Sequence, residues 1–347
     1  MRYRSKILSS VLVLVLAVSV GWGQTEIVTI LHVNDTHSNL APIGPRTNDL
    51  AGTLGGLARV ATIVQNERGH AKDVLFLHAG DFFIGDLFYT KYFGVPELQM
   101  LKSLGLDAMA VGNHEFDLTP AALLGTLENA FPGEGFPLLS ANLNLEDPAV
   151  QPLKQYIQPS VIKQIGKFKV GIFGMTTPAT NVLSQPYPAV VEGESAEELI
   201  MIAGITVQAL KANGCDVIIC LSHLGLQADQ ALATYLPGIN VIVGGHDHFT
   251  LEKPVEITNP SGEPTWIVQA NAFYLNVGKM RLKIHKGSVK MLTYELIPVD
   301  SKVKEAPFVS VAVKFLTAGI ENTYGPLFSQ QVGYVAQYFE EVAQNLS

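Results

Sequence analysis

Five short blocks of the sequence place histidine, aspartate or asparagine directly after an apolar run that is typical of a buried strand. The seven candidate metal ligands in these blocks are Asp35, His37, Asp81, Asn113, His223, His246 and His248. One divalent cation rarely needs more than about four protein ligands, so this number indicates two cations that share one carboxylate. Such a pair can bind both the attacking and the leaving oxygen of an in-line phosphoryl displacement.

Each block taken alone is a weak signal. Asp35 and His37 are two positions apart, which would put both side chains on one face of an extended segment, but this spacing is common. Asp81 follows Gly80 as in many ordinary turns, and Asn113 could form only an Asx turn. The combined pattern favours a metal site over separate turns, because five of the nine histidines fall in the strand-end blocks.

The elements that must position these residues alternate between strand and helix. The sequence predicts strands over 26–33, 73–79, 108–111, 138–142, 168–174, 216–221 and 241–245, and helices over 54–67, 97–104, 121–130 and 195–213. Thr119 and Pro120 are typical of an N-cap and a first helical position. This alternation predicts an α/β domain, and open α/β sheets hold their sites at the carboxyl ends of strands.

The pattern changes towards the C-terminus. Strand-like runs after residue 265, with a turn at residues 286–288, predict antiparallel structure that closes the sheet. Residues 307–347 are predicted to be helical with a break at 324–326. A stripe of apolar side chains there could dock a partner or fold back on its own domain. The stripe consists of Phe315, Phe328, Val332, Val335, Phe339 and Val342.

Composition limits the class of protein. The chain has 347 residues, 48% of them hydrophobic, and a formal charge of −8. This composition supports a large core and excludes a binder of nucleic-acid polymers, which would be basic. A phosphate ester would therefore be attracted by the metals and not by the net charge.

Cys215 and Cys220 bracket a predicted strand that holds them about 16 Å apart, too far for a disulfide, so we expect two buried free thiols.

Residues 1–23 have the pattern of a secretory signal peptide. Basic residues at 2, 4 and 6 precede an apolar run over 7–20, and Gly21 and Gly23 suggest cleavage before Gln24. The alternative is an uncleaved membrane anchor, but the run of about 14 residues is shorter than the roughly 20 that span a bilayer. We therefore expect a periplasmic or secreted protein with no membrane span after signal removal.

Several stretches give the chain a family resemblance. They are 30–38 (Ile-Leu-His-Val-Asn-Asp-Thr-His-Ser), 80–85 (Gly-Asp-Phe-Phe-Ile-Gly), 112–117 (Gly-Asn-His-Glu-Phe-Asp), 139–142 (Leu-Ser-Ala-Asn), 222–225 (Ser-His-Leu-Gly) and 244–248 (Gly-Gly-His-Asp-His). Over roughly residues 26–300 the sequence resembles the calcineurin-like metallophosphoesterases, in particular the N-terminal catalytic domain of the exported bacterial 5′-nucleotidase / UDP-sugar hydrolase group. The resemblance implies a four-layer α/β/β/α sandwich with two mixed sheets over residues 24–305.

The same resemblance implies a role for each site residue. Asp35, His37 and His248 would hold the first metal, Asn113, His223 and His246 the second, and Asp81 would bridge them. His114 would stabilise the phosphoryl oxygens and the leaving alkoxide as an imidazolium, and Asp117 would orient it. A hydroxide on the metals would attack phosphorus directly, with no covalent phosphoenzyme. Ligands without cysteine suit zinc, manganese, iron or cobalt.

The sequence motifs do not identify the substrate. The leading hypothesis is a hydrolase of phosphomonoesters, above all 5′-nucleotides. The alternatives are a cyclic-nucleotide phosphodiesterase, a sulfur-ester hydrolase of the same fold, or a catalytically silent nucleotide-binding protein. The resemblance also implies a second, nucleotide-binding domain, to which residues 306–347 would be the helical linker. That domain could be supplied by a separate chain, or the catalytic domain alone could hydrolyse a wider range of phosphate esters.

Other residues near the blocks have simpler interpretations. For His32 we expect a structural hydrogen bond, because its side chain points away from that of Asp35. His78 could support Asp81 or only pack. Three aromatic residues, Phe82, Phe83 and Phe88, could wall the site, although packing is the commoner role.

Overall fold

A computed structural model describes residues 25–44, 52–285, 287–326 and 333. The predicted signal peptide, residues 1–23, lies outside the described residues, as do Lys286 in the predicted turn and all of the predicted apolar stripe except Phe315. Within the described ranges, no helix combines the length and the apolar character that crossing a bilayer requires.

The described chain alternates strands and helices up to residue 244 and then becomes largely antiparallel. The strands are β1 (Thr25–Val33), β2 (Val74–His78), β3 (Ala108–Ala110), β4 (Leu138–Leu139), β5 (Leu143–Asn144), β6 (Ile157–Gln158), β7 (Ser160–Ile165), β8 (Phe168–Thr176), β9 (Val190–Val191), β10 (Val217–His223), β11 (Val241–Gly244), β12 (Val255–Thr258), β13 (Pro264–Val268), β14 (Asn276–His285) and β15 (Ser288–Pro298). The helices are α1 (Leu57–His70), α2 (Leu87–Tyr92), α3 (Val95–Ser103), α4 (Pro120–Ala130), α5 (Thr180–Leu183), α6 (Ala196–Ala212), α7 (Leu226–Tyr235) and α8 (Pro307–Tyr324).

Two large mixed sheets organise the molecule. The first has the order β15-β14-β1-β2-β3-β4-β6, and the second has the order β12-β13-β11-β10-β8-β7. In the first, β1 is parallel to β2 and antiparallel to β14. In the second, β10 is parallel to β11, and β7 is antiparallel to β8. The prediction of two mixed sheets is confirmed, and the structure adds a small sheet of β5 and β9 that the sequence did not indicate.

The two sheets pack face to face with helices on both outer sides. One buried cluster joins side chains of β1 and β2, such as Ile30 and Leu77, to side chains of β10 and β11, such as Leu221 and Val243. A second cluster packs α1, α3, α4 and α8 on the first sheet. A third packs α6 and α7 on the second sheet. The predicted four-layer sandwich is therefore confirmed.

Local chemistry explains where the helices begin. Thr119 accepts a hydrogen bond from the backbone of Ala122 (3.1 Å) and Pro120 is the first residue of α4, as predicted. Helix α1 begins at Leu57 and not near residue 54 as predicted. The reason is that Gly55 and Gly56 have φ angles of 68° and 94°, which lie outside the helical region.

Helix α8 shows where the start of the predicted C-terminal extension packs. Val309, Val313 and Ile320 are buried against the first helical layer, and the hydroxyl of Tyr92 donates to the carbonyl of Leu316. Phe315 of the predicted stripe is exposed. The described part of the extension thus packs on the sandwich through Val309, Val313 and Ile320, and the choice between a docking stripe and one that folds back stays open. The division of the chain at 305/306 stays a prediction.

Two predictions about single side chains are wrong in part. His32 is fully buried but neither ring nitrogen has a hydrogen-bond partner among the described residues, so the expected structural hydrogen bond is not formed. Burial lowers the pKa of His32 to about 3, which keeps the ring neutral. Cys215 and Cys220 are free thiols as expected, but only Cys220 is fully buried.

Candidate metal centre

The strand-end blocks meet at one edge of the sandwich. Strands β1, β2 and β3 are parallel neighbours in the first sheet, and β10 and β11 are parallel neighbours in the second. Their carboxyl ends therefore lie at the same edge of each sheet, and the packing of the sheets brings the two edges together. At Gly245 an added Cβ would lie 2.8 Å from the carbonyl oxygen of Ala79, so only glycine permits this approach.

The backbone at the site is unusually constrained. Five of the seven candidate ligands have φ angles between 47° and 80°, a region that residues other than glycine rarely adopt; they are Asp35, His37, Asp81, His246 and His248. The expected extended conformation of Asp35 and His37 is therefore wrong, although their side chains do converge. Such conformations cost free energy and cluster at functional sites, because the surrounding structure must hold them.

The first three candidate ligands form one cluster. The ligand atoms of Asp35, His37 and His248 all lie within 4.8 Å of one another. The Nε2 atoms of His37 and His248 are 3.3 Å apart, and Nε2 of His248 lies 3.5 Å from Oδ1 of Asp35. These are the residues predicted to hold the first metal, and the structure brings all three together.

A second cluster lies directly beside the first. It contains Asp35, Asp81 and His223, with Nε2 of His223 2.9 Å from Oδ2 of Asp81 and 3.9 Å from Oδ1 of Asp35. The other two candidate ligands also adjoin each other, since Nδ1 of His246 lies 3.1 Å from Oδ1 of Asn113. Asp35 is thus common to both clusters, which the sequence did not indicate.

The donor set fits divalent cations. The Nδ1 atom of His223 faces the carbonyl oxygen of Ala79 at 2.7 Å, and Nδ1 of His37 faces the carbonyl oxygens of Phe83 and Ile84. Because only an N–H group can donate to a carbonyl, Nε2 of each ring carries a lone pair whenever the ring is neutral, which is the form that binds a cation. Both lone pairs point at carboxylate or imidazole acceptors, which would repel them. A cation bound between these groups would remove the repulsion, because each group would become its ligand.

Asp81 is held as a carboxylate. In the metal-free chain, burial tends to raise the pKa of this carboxyl, but the charge and hydrogen bond of the protonated His223 ring outweigh burial and hold the pKa well below its usual range; a bound cation would take the place of that proton. Its Oδ1 atom also accepts the backbone N–H of His114 at 3.0 Å. Asp81 therefore connects the ligand clusters to the 3-10 turn His114–Phe116.

His114 and Asp117 form a charged pair at the rim of the clusters. Nδ1 of His114 lies 2.5 Å from Oδ2 of Asp117, and this hydrogen bond raises the pKa of His114 to about 9. The imidazole is therefore protonated at neutral pH and is 36% exposed. Ligand-type atoms of His37, Asp81 and His114 also lie within 4.8 Å of one another, so the ring adjoins the ligand clusters closely enough to ligate a metal itself.

A family model for the calcineurin-like phosphoesterases matches residues 28–249, which contain every residue of the two clusters and the charged pair. The chain belongs to this family. The predicted family, calcineurin-like phosphoesterase, and the predicted enzyme class, phosphoric ester hydrolase, are therefore confirmed.

Known relatives of this phosphoesterase are 5′-nucleotidases. The snake venom 5′-nucleotidase of Gloydius brevicauda is 32% identical over 344 residues, 94% of this chain and 56% of that protein. The 5′-nucleotidase of Bos taurus is 30% identical over 334 residues, 91% of this chain and 56% of that protein. The solved 5′-nucleotidase precursor from Thermus thermophilus is 33% identical with a TM-score of 0.75, over 85% of this chain and 59% of that chain. The phosphoesterase thus spans less than two thirds of each relative's length.

Glu115 organises the loop that carries Asp81, a role the sequence analysis missed. Its Oε2 atom accepts the backbone N–H groups of Asp81 and Gly112, and its Oε1 atom accepts those of Phe82 and Phe83. The carboxylate is buried and accepts from four backbone donors at once. The only signal in the sequence was a glutamate between His114 and Asp117, and three of its four partners, Asp81, Phe82 and Phe83, are too distant along the chain to be inferred.

Replacing Glu115 with glutamine is expected to lower the free energy of unfolding of the phosphoesterase by about 2–4 kcal/mol. The new NH₂ group would face two of the four backbone donors and leave them without an acceptor. Urea denaturation measures the loss, with exposed Glu128→Gln on α4 as the matched control. Equal midpoints for the two variants would contradict the role assigned to Glu115.

A second buried carboxylate lies beneath the first ligand block. Glu97 of α3 accepts hydrogen bonds from the hydroxyls of Thr36 (2.8 Å) and Tyr274 (2.6 Å), and burial raises its pKa to about 7. Nε2 of His78 lies 3.0 Å from the Thr36 hydroxyl, and Nδ1 of His78 accepts the backbone N–H of Gly80. His78 therefore supports the loop of Asp81, which is one of its two predicted roles.

The aromatic residues of the second block take the packing role that the sequence analysis favoured. Phe82, Phe83 and Phe88 are buried in the first helical layer, so packing is their role. The aromatic residue beside the ligands is Phe273, whose ring centroid lies 5.7 Å from that of His37 and 5.4 Å from that of His248. The sequence analysis missed Phe273 because it follows β13, where no ligand block was found.

Proposed function

We propose that the chain is an exported dinuclear-metal phosphohydrolase that cleaves phosphomonoesters, with 5′-nucleotides as its preferred substrates. The observation that carries this proposal is the pair of adjoining ligand clusters beside the protonated His114. Two cations held by adjoining clusters would suit an in-line displacement at phosphorus. The relatives named as 5′-nucleotidases support the choice of substrate.

The proposed roles follow the two clusters. Asp35, His37 and His248 would hold the first cation, Asn113, His223 and His246 the second, and Asp81 would bridge the two. When bound, the cations would lower the pKa of water and neutralise the phosphoryl oxygens. Zinc, manganese, iron and cobalt all accept a set of imidazole, carboxylate and amide donors that lacks cysteine.

His114 and Asp117 supply the remaining chemistry in this proposal. The imidazolium would neutralise charge that develops on the phosphoryl group and donate its Nε2 proton to the departing alkoxide. Asp117 would keep the ring charged and correctly oriented through Nδ1. Water would attack phosphorus directly, and no covalent phosphoenzyme would form.

Export and a further domain belong to the same proposal. The predicted signal peptide over residues 1–23 would direct the chain to the periplasm or the medium. One relative is named as a venom protein and another as a precursor. Since the relatives are longer than the part they share with this chain, we propose that full nucleotide specificity needs a second 5′-nucleotidase-type domain, on this or another chain.

Phosphate release from a panel of esters tests the proposal. With added manganese or zinc, we expect the chain to release phosphate from 5′-AMP faster than from ATP, a UDP-sugar or p-nitrophenyl phosphate, and not to open 2′,3′-cyclic AMP. Chelation of the metal should abolish release. Preferential opening of the cyclic nucleotide would establish a phosphodiesterase instead. No release from any ester with any divalent metal would establish a silent binding protein.

A further inference from the structure

Asn34 is a buried polar residue beside the ligand clusters to which the proposed function gives no role. It follows β1 and directly precedes Asp35, and only 2% of its surface is exposed. Its side-chain amide has an acceptor oxygen and an NH₂ donor group, and both have partners. A buried amide whose hydrogen bonds are all formed fixes the positions of its partners. The partners of Asn34 therefore indicate what this residue does.

The amide of Asn34 acts on the carboxylate of Asp35. Nδ2 of Asn34 donates to Oδ2 of Asp35 at 2.6 Å. The backbone N–H of His246 lies 3.1 Å from Oδ1 and 3.0 Å from Oδ2 of the same carboxylate, so it does not distinguish the two oxygens. The Asn34 amide does distinguish them. It leaves Oδ1 of Asp35 facing two ligand nitrogens, Nε2 of His248 at 3.5 Å and Nε2 of His223 at 3.9 Å.

The other hydrogen bonds of Asn34 attach it to the opposite sheet. Nδ2 also donates to the carbonyl of Asn271, and Oδ1 of Asn34 accepts the backbone N–H of Ala270 at 2.9 Å. Both partners lie in the loop after β13 of the second sheet, whereas Asn34 follows β1 of the first. Because these two partners are backbone groups, the packing of the sheets sets the direction in which the amide points at Asp35.

We propose that Asn34 is a positioning residue that holds the Asp35 carboxylate with Oδ2 against the amide and Oδ1 towards the cations. This inference rests on the proposed function, because it concerns the same metal pair. A carboxylate that is already oriented loses less conformational freedom when it binds a metal than one that can rotate. Asn34 would thus raise the metal affinity of the chain without touching the metal, as hydrogen-bond partners of metal ligands do.

Titration of the metal-free chain with cobalt tests this role, because the visible absorption of bound cobalt reports its affinity and its ligand geometry. For Asn34→Ala we expect at least one cobalt affinity to fall by about 10- to 100-fold, and the spectrum of the bound cobalt to change. Thermal unfolding of each metal-free chain shows that the variant is folded. If the alanine variant does not fold, Asn34→Ser, which also lacks the amide, takes its place with the same expected loss.

Asn259 offers a matched control, because it is another buried asparagine whose side chain bonds to backbone groups. Its Oδ1 atom accepts the N–H groups of Ser261 (2.9 Å) and Glu263 (3.3 Å), in the turn between β12 and β13. Asn259→Ala should lower the thermal stability of the metal-free chain but leave both cobalt affinities within about twofold of the wild type. The comparison separates the loss of a buried amide from the loss of its action on Asp35.

A double variant shows whether Asn34 acts through Asp35. In Asp35→Ala the carboxylate is already absent, so adding Asn34→Ala should weaken cobalt binding no further. If Asn34→Ala instead lowers the affinity by the same factor in both backgrounds, Asn34 acts through the loop 270–273 and the positioning of Asp35 is refuted.

Failure of the positioning role differs from failure of the proposed function. Unchanged cobalt affinities and an unchanged spectrum in folded Asn34→Ala would refute the positioning role alone, since the wild type would still bind its metals. If the wild type binds neither cobalt nor any other divalent cation, the proposed function fails and the positioning role fails with it.

Discussion

Replacing His114 with asparagine is expected to reduce kcat for phosphate release by roughly 10²- to 10⁴-fold, the range typical of losing a general acid. The imidazole is held in its protonated form by Asp117 and faces both ligand clusters. Asparagine cannot donate a proton to a departing alkoxide. Because neither predicted metal set contains His114, the variant should retain two bound metals per chain.

Metal analysis of the purified variant, together with steady-state kinetics, checks this prediction. His70→Asn is a suitable control, because His70 is an exposed histidine at the end of α1 that lies outside both clusters. Loss of one or both metals from His114→Asn would show that His114 is a ligand. Normal turnover would remove it from the reaction altogether.

Replacing Asp81 with asparagine is expected to weaken the binding of both metals together, by at least about 10- to 100-fold in affinity. The change removes a negative charge from the middle of the donor set, where Oδ2 of Asp81 lies 2.9 Å from His223. The asparagine oxygen can still accept the backbone N–H of His114, so the local turn should be preserved. Titration of the metal-free chain with manganese or zinc measures both affinities.

Asp147→Asn, at an exposed loop position, is the matched control for the loss of one charge. If Asp81→Asn loses only one metal, Asp81 serves a single site. Asp35, which is common to both clusters, would then be the shared carboxylate, and Asp35→Asn should lose both metals. The two variants together thus decide which residue bridges the metals.

The residue types at the site could be predicted from the sequence because they occur in short local patterns. Apolar runs followed by Asp, Asn or His define both the strands and the residues at their ends, and parallel strands collect those ends at one edge. The seven candidate ligands were found in this way, and His114 and Asp117 were added by the family resemblance; the structure places all nine residues close together. Their individual roles and the domain boundaries stay predictions.

Backbone conformation at these blocks could not be predicted in the same way. The positive φ angles of Asp35 and His37 are imposed by contacts with the loop of Asp81, including the bond from the His37 N–H to the Asp81 carbonyl (3.1 Å). A local pattern of two polar residues in alternate positions favours an extended strand. Tertiary contacts override that preference, and the strain is supported by the packed loops.

What the sequence by itself determined is the family, the four-layer fold and the identity of the residues at the strand ends. Only the tertiary structure decided which groups support them: Glu115 beneath the loop of Asp81, and Ser184 against Asp117, 67 positions away in the chain. It also decided that Asp35 lies in both clusters and that His32 is buried without a hydrogen-bond partner among the described residues. The physical reason is that periodicity and spacing report local structure, whereas hydrogen bonds between distant segments depend on how the sheets and loops pack.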